Sequence, residues 1–230
     1  MVRRALTRAL GLALAVWLFA TNGALASGPF SNWAAIVVAG DWHAHSGAPS
    51  EVFDNARRDL TKAFIAAGVS PANISQFSVR PGHYPKETVL KSAPEPVYDH
   101  LMALAKQAPD GCLIYFTSHG APEGVVVDDG VWDPVAVAQM IGAACGERPT
   151  VVVVSACFSG VFAPALEGPN RMILTAARAD QVPRSPPQNR ARPPSGHGLA
   201  FAAMAGALLG ARRDFRCDYW RDSQRGRRWL

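Results

Sequence analysis

Apolar runs separated by helical patterns constrain the fold of this 230-residue chain more than any other feature. Residues 112–116 (CLIYF) and 151–154 (VVVV) are apolar throughout, as strands buried on both faces are. The strand candidates are 33–40, 74–79, 112–120, 150–157 and 171–177. Helical patterns lie over 51–68, around 97–107, from Asp133, which is an N-cap candidate before Pro134, and over 198–211. This alternation predicts an α/β fold with a mostly parallel central sheet covered by helices on both faces.

Three chemically active side chains follow directly on three of these strands. Asp41 comes after the first strand, His119 ends the run 112–120, and Cys157 ends the run 150–157. The carboxyl ends of parallel strands meet at one edge of a sheet, and ligands bind at that edge. We therefore expect an active site where these three residues meet.

Cys157 and His119 are the residue types of a cysteine nucleophile and its base. A thiolate attacks carbonyl carbon, and an adjacent imidazole favours the thiolate. Gly120 leaves the backbone bare beside His119, so its N–H and the N–H of Cys157 are candidate oxyanion donors. A buried core cysteine and a structural histidine are the competing interpretations. Both motifs on consecutive long strands favour catalysis.

The wording of these motifs resembles a known family. The motifs are similar to those of legumain-like (C13-type) cysteine peptidases, which share a clan with caspases and gingipains. The similar segments, in chain order, are IVVAGD, IYFTSHG, VVVVSACFSG and ILTAARAD. The chain looks most like the small bacterial exported members, over about residues 33–182. The resemblance implies a caspase-like three-layer sandwich and a His119/Cys157 dyad. It also implies cleavage or transfer at a peptide bond of a protein or peptide substrate, without a metal or other cofactor.

The specificity pocket is not carried over by this resemblance. Phe158 stands where legumain has an acidic residue, and GDWHAHSG lacks legumain's Asn-Tyr-Arg-His wording. Asp41 is a candidate to orient His119, although capping a helix or lining the pocket are alternatives. Asp180, Ser155 and Phe158 are the candidate substrate-binding residues. Asp180 lies where such enzymes build the wall that would select a basic side chain, and a plain surface acid is the alternative.

The N-terminus has the pattern of an export signal. Three arginines precede an apolar run over 9–20 and the A-x-A pattern Ala24-Leu25-Ala26, so residues 1–26 are a predicted signal peptide. We expect a periplasmic or secreted protein without a membrane contact after signal removal, and an uncleaved anchor is the alternative. A peptidase domain over 27–211 and a basic tail over 212–230 complete the expected organisation. The basic residues concentrate at the two ends, so nucleic acid is not an expected partner. The oligomeric state stays open.

Four cysteines in an exported chain invite disulfides. If Cys157 works as a thiol, at most one bridge forms among the other three, and Cys145 with Cys217 is the pairing we expect. The Pro/Arg-rich loop 181–197 is a candidate lid or self-cleavage site.

Three alternatives to hydrolysis by this dyad remain open at this point. Asp41, His43 and His45 form a D-x-H-x-H pattern that binds metal in some hydrolases, with His83 and His100 as further ligand candidates. A peptide transamidase would use the same dyad. A caspase-like binding protein would keep the fold with a silent dyad.

Overall fold

A computed structural model of the chain describes residues 28–180. Four predicted segments lie outside these residues: the signal peptide 1–26, the loop 181–197, the helix 198–211 and the basic tail 212–230. Within the described part, no helix is both long and apolar enough to span a membrane.

Within residues 28–180, six parallel strands form the central sheet; five correspond to the predicted strands, and the short strand Leu90–Lys91 was not predicted. The strands are β1 (Trp33–Ala39), β2 (Ile74–Ser78), β3 (Leu90–Lys91), β4 (Gly111–Thr117), β8 (Thr150–Ser155) and β9 (Arg171–Thr175). Their order across the sheet is β3-β2-β1-β4-β8-β9, and every neighbouring pair is parallel. The strand order reverses between β1 and β4, which makes the carboxyl ends of these two strands the topological switch point.

Four helices cover the two faces of this sheet. They are α1 (Val52–Ala66), α2 (Pro94–Gln107), α3 (Pro134–Cys145) and α4 (Phe162–Leu166). Helix α1 buries Leu60 and Phe64 against one face, together with Val37 and Tyr115 from the strands. The other three helices pack on the opposite face, around the alternate strand residues such as Ile36. Because successive side chains of a strand point to opposite faces, both layers need apolar residues, and the central strands β1, β4 and β8 are apolar along most of their length.

The ends of the helices follow the local sequence. Asp133 is the N-cap of α3, as predicted, and its carboxylate accepts from the N–H groups of Val135 and Ala136 at 2.9 and 3.0 Å. Gly68 follows α1 with φ +101°, a conformation that suits glycine.

A second, three-stranded antiparallel sheet lies after β4. It consists of β5 (Gly120–Ala121), β6 (Gly124–Val127) and β7 (Gly130–Trp132). The turn between β6 and β7 begins at Asp128, whose φ is +56°. The chain therefore leaves the central sheet after Thr117, two residues before His119, and enters the second sheet at Gly120.

The disulfide pairing differs from the expected one. Cys145 bonds to Cys112 and not to Cys217, with both sulfurs in the buried core and an S–S distance of 2.13 Å. The bond joins the start of β4 to the last residue of α3. The sequence context was a poor guide here, because polar residues follow Cys145 directly, yet its side chain is buried in the core.

Candidate active site

The strand register brings the His119 and Cys157 segments side by side. Strands β4 and β8 are neighbours, and Thr117 lies opposite Ser155. His119 and Cys157 each come two residues after this pair, at the same edge of the sheet. The Ser118 N–H donates to the Ser155 carbonyl at 3.2 Å, which continues the pairing beyond the last strand residues.

Gly120 lies directly against the backbone of Cys157. A Cβ atom at Gly120 would overlap the Cys157 carbonyl oxygen and would lie 2.9 Å from its carbonyl carbon and 3.0 Å from its nitrogen. Real Cβ atoms essentially never approach backbone atoms so closely. Only glycine therefore allows the residue after His119 to pack on Cys157.

The turn after Cys157 packs against the segment that follows β9. Phe158 has φ +55°, in the left-handed region that non-glycine residues rarely adopt. Ser159 Oγ accepts from the Ala177 N–H at 3.0 Å, and a side chain at Gly160 would collide with the Ala179 nitrogen. The segment 177–179 after β9 therefore fixes the turn, and with it the position of Cys157.

A backbone carbonyl orients the imidazole of His119. Nε2 lies 3.1 Å from the carbonyl oxygen of His43. Because a carbonyl only accepts, Nε2 carries the proton in this contact, and Nδ1 of the neutral ring is left as the acceptor. Phe53 packs edge-on against the ring at 5.0 Å between centroids, and the His45 ring lies at 5.1 Å.

Burial sets the protonation of His119. Desolvation lowers the pKa of His119 below its ordinary value, since the imidazolium loses hydration in this half-buried position. The Asp41 charge and the His43 carbonyl act in the opposite direction and offset part of this effect. The ring is therefore neutral at neutral pH, the form in which Nδ1 accepts a proton.

Among the described residues Asp41 makes its hydrogen bonds to Trp42 and His43 and none to His119, so direct orientation of the imidazole by this carboxylate stays a prediction. Asp41 Oδ1 accepts from the N–H groups of Trp42 and His43 and lies 2.8 Å from Nδ1 of the His43 ring. The carboxylate thus fixes the residue whose carbonyl meets His119. Sequence reasoning missed this role of His43, because a backbone carbonyl has no side-chain signature.

Cys157 is buried, and its sulfur is part of a disulfide in this structure. This differs from the expectation that Cys157 stays outside any bridge. Since the thiolate is the nucleophilic form of cysteine, acyl transfer at Cys157 requires the reduced chain.

The remaining candidates lie at different distances from the dyad. Ser155 is half-buried at the end of β8, and Phe158 forms the turn directly after Cys157. Asp180 is exposed and accepts from Arg178 Nε at 3.2 Å, so a neighbouring basic group already occupies this carboxylate. The structure brings Ser155 and Phe158 next to Cys157, and it places Asp180 on the segment beyond β9.

The histidines of the metal alternative do not converge. Among residues 28–180, no three His, Cys, Asp or Glu side chains are arranged to hold a metal ion. The His43 ring pairs with Asp41, whereas the His45 ring packs near His119. His100 lies on α2, where Nδ1 is 3.2 Å from Ser75 Oγ, and His83 is exposed in a short 3₁₀ turn.

Comparison with known proteins agrees with the geometry of this edge. A search of curated protein sequences finds no match for this chain. The model of the peptidase C13 family matches residues 53–183, which is more than half of the chain and includes both His119 and Cys157. Together with the α/β sandwich, this match shows that the chain belongs to the peptidase C13 family and is a cysteine-type peptidase.

Proposed function

We propose that the protein is an endopeptidase in which Cys157 is the nucleophile and His119 the acid–base partner. The observation that carries this proposal is the packing of Gly120 on the Cys157 backbone. That contact and the β4–β8 register support a dyad built from the two motifs. The His43 carbonyl on Nε2 supports a base at Nδ1.

The first half-reaction forms a thioester. The Cys157 proton passes to Nδ1 of His119, and the thiolate attacks the carbonyl carbon of the scissile peptide bond. The carbonyl oxygen becomes an oxyanion, for which the N–H groups of Gly120 and Cys157 are the proposed donors. His119 then returns its proton to the leaving amine, the C–N bond breaks, and the acyl group remains on Sγ.

The second half-reaction releases the acyl group. Water loses a proton to His119 and attacks the thioester carbon, the C–S bond breaks, and Cys157 regains its proton. An amine in place of water would give a new amide and make the protein a transamidase. Burial of His119 favours its neutral form for both proton transfers.

Export is part of this proposal. The charged and apolar regions of residues 1–26 support a signal peptide, and the Cys112–Cys145 disulfide suits an oxidising compartment. We expect the mature chain to begin near Ser27 in a periplasmic or secreted fraction. A full-length chain confined to the cytoplasm would contradict this part of the proposal.

Hydrolysis of a mixed peptide library tests the proposed activity. The reduced protein is incubated with the library with and without a primary amine, and products are read by mass spectrometry. We expect new carboxyl termini from wild type, and losses of at least about a thousandfold in Cys157→Ala and His119→Ala. His83→Ala is the matched control, because His83 is exposed in a short 3₁₀ helix and its ring contact is with Tyr84, not with a dyad residue.

Each outcome of this test has one meaning. Amide products formed with the added amine would identify a transamidase with the same dyad. No product of either kind from the reduced wild type would favour the silent binding protein and overturn the proposal.

A further inference from the structure

The residues that orient His119 belong to a short closed loop, residues 41–50, which we name the His43 loop. It follows β1 and precedes α1. The Ser50 N–H donates to the Trp42 carbonyl at 2.8 Å, and the Ala44 N–H donates to the Ala48 carbonyl at 2.8 Å. These bonds close the loop on itself but do not attach it to the rest of the molecule.

Arg80 attaches both ends of the His43 loop to the central sheet. It lies two residues after β2, and its guanidinium carbon is 5.1 Å from the centroid of the Trp42 ring. Its Nη2 donates to the Ser50 carbonyl at 3.1 Å. A single side chain therefore stacks on the beginning of the loop and hydrogen-bonds its end.

The Arg80 side chain is itself held in place. Its Nη2 also contacts the Glu51 carboxylate, whose other oxygen accepts from Tyr84 Oη at 2.9 Å. The backbone N–H of Arg80 donates to Ser78 Oγ at 3.2 Å, and Nε, which makes no hydrogen bond, lies 4.0 Å from the buried carboxylate of Asp54. Only 18 % of the side chain is exposed. An arginine fixed by this many partners holds its planar group in one orientation.

Trp42 connects Arg80 to the residue that contacts His119. Its ring packs against the neighbouring His43 ring at 3.9 Å between centroids, with the two planes tilted by 40°. The carbonyl of His43 is the group that accepts from Nε2 of His119. The path from Arg80 to the catalytic imidazole therefore runs through one stacked ring, one peptide unit and one hydrogen bond.

We propose that Arg80 is a positioning residue for the peptidase reaction, acting through Trp42 and Ser50 on the carbonyl that orients His119. This inference rests on the proposed function of the His119/Cys157 dyad. Loss of Arg80 removes the contacts with Trp42 and Ser50, so that Asp41 alone fixes the His43 end of the loop, and it leaves every dyad atom in the chain. The His43 carbonyl is then less firmly positioned as the acceptor for Nε2, and the orientation of the His119 ring becomes less defined.

Arg80→Met tests the proposal, with Arg58→Met as the matched control. Arg58 belongs to the same charged cluster and stacks on the Tyr84 ring at 4.5 Å, and it bonds Glu87 at 2.9 Å. Its contacts within the described residues do not include Trp42 or Ser50. Both substitutions remove one guanidinium from this charged cluster and keep a long apolar stem, but only Arg80→Met also removes the contacts with Trp42 and Ser50.

Two measurements on the reduced proteins separate positioning from plain stability. The first is kcat and KM on a cleaved peptide at a temperature well below the thermal midpoint of each variant. The second is the pH dependence of Cys157 alkylation by iodoacetamide, which reports how far His119 favours the thiolate. We expect Arg80→Met to lower kcat by about ten- to a hundredfold with KM within about threefold, because small displacements of catalytic groups cost rates of this order. Its alkylation profile should move towards that of His119→Ala.

Three outcomes would overturn the proposal. One is an Arg80→Met protein with the kcat and alkylation profile of wild type. Another is an equal loss in Arg58→Met, which would assign the effect to the whole charged cluster. The third is a wild-type alkylation profile identical to that of His119→Ala, which would overturn the proposed dyad and this inference with it. If Arg80→Met does not fold, Trp42→Leu removes the same contact from the loop side, with the same expected kcat loss.

Discussion

The missing side chain of Gly120 joins the two halves of the active site. From the sequence, a glycine after His119 indicates a bare backbone next to the imidazole. The structure gives a second reason, since the Gly120 backbone lies against the Cys157 carbonyl group and nitrogen. The sequence suggests the position, whereas the contact depends on which strands are neighbours.

Substituting Gly120 should therefore separate the two motifs. We expect Gly120→Ala to lower kcat/KM at least about a hundredfold, because a Cβ there meets backbone atoms that have no flexible end to move. Peptide hydrolysis measures the effect, and circular dichroism checks the fold. Gly82→Ala is the control, since a Cβ at Gly82 meets nothing within 4 Å. Hydrolysis by Gly120→Ala at the wild-type rate would contradict this account of the contact.

The acceptor of His119 marks the limit of sequence reasoning at this scale. Asp41 is the natural candidate for an orienting carboxylate, because triads use one. In the structure the Asp41 carboxylate contacts the His43 ring instead, and the backbone carbonyl of His43 accepts from Nε2 of His119. Every residue carries a carbonyl, so side-chain identity alone does not reveal this role.

Among the secondary-structure elements, the types were predictable and the ends were not. The strand patterns extend through His119 and Cys157, yet β4 ends at Thr117 and β8 at Ser155. Both catalytic candidates lie just beyond the strand ends, His119 directly before β5 and Cys157 in the turn that leads to the 3₁₀ helix at Ser159. Apolar periodicity predicts buried strands, but it does not show at which residue the backbone leaves the sheet.

The Cys112–Cys145 disulfide ties a strand to a helix, and its removal should loosen both. We expect the Cys112→Ala/Cys145→Ala double variant, in a Cys157→Ala background, to lose about 2–4 kcal/mol of unfolding free energy. The bond closes a loop with a sequence separation of 33 and lies in the core, so the unfolded chain gains freedom and the core loses two sulfurs. Guanidinium unfolding monitored by fluorescence gives the change, with Cys157→Ala alone as reference. A denaturation midpoint equal to that of the reference would contradict the stabilising role.

For the whole molecule, the sequence predicts a parallel sheet with helices on both faces, and the structure has this architecture. The order of the strands was not predictable, because each buried strand is compatible with several neighbours. That order determines the site: it reverses between β1 and β4, where the His43 loop and His119 meet. The family match over residues 53–183 includes His119 but not the His43 loop, which lies before it.

Mass spectrometry of the reduced protein after reaction with peptide warheads tests the central claim most directly. The warheads present Asn, Asp, Arg and Lys before the reactive group, and Cys157→Ala and His119→Ala are treated in parallel. The account predicts one label on Cys157, absent in Cys157→Ala and strongly slowed in His119→Ala. Labelling that is indifferent to His119, or that spares Cys157 in the reduced protein, would contradict the proposed dyad.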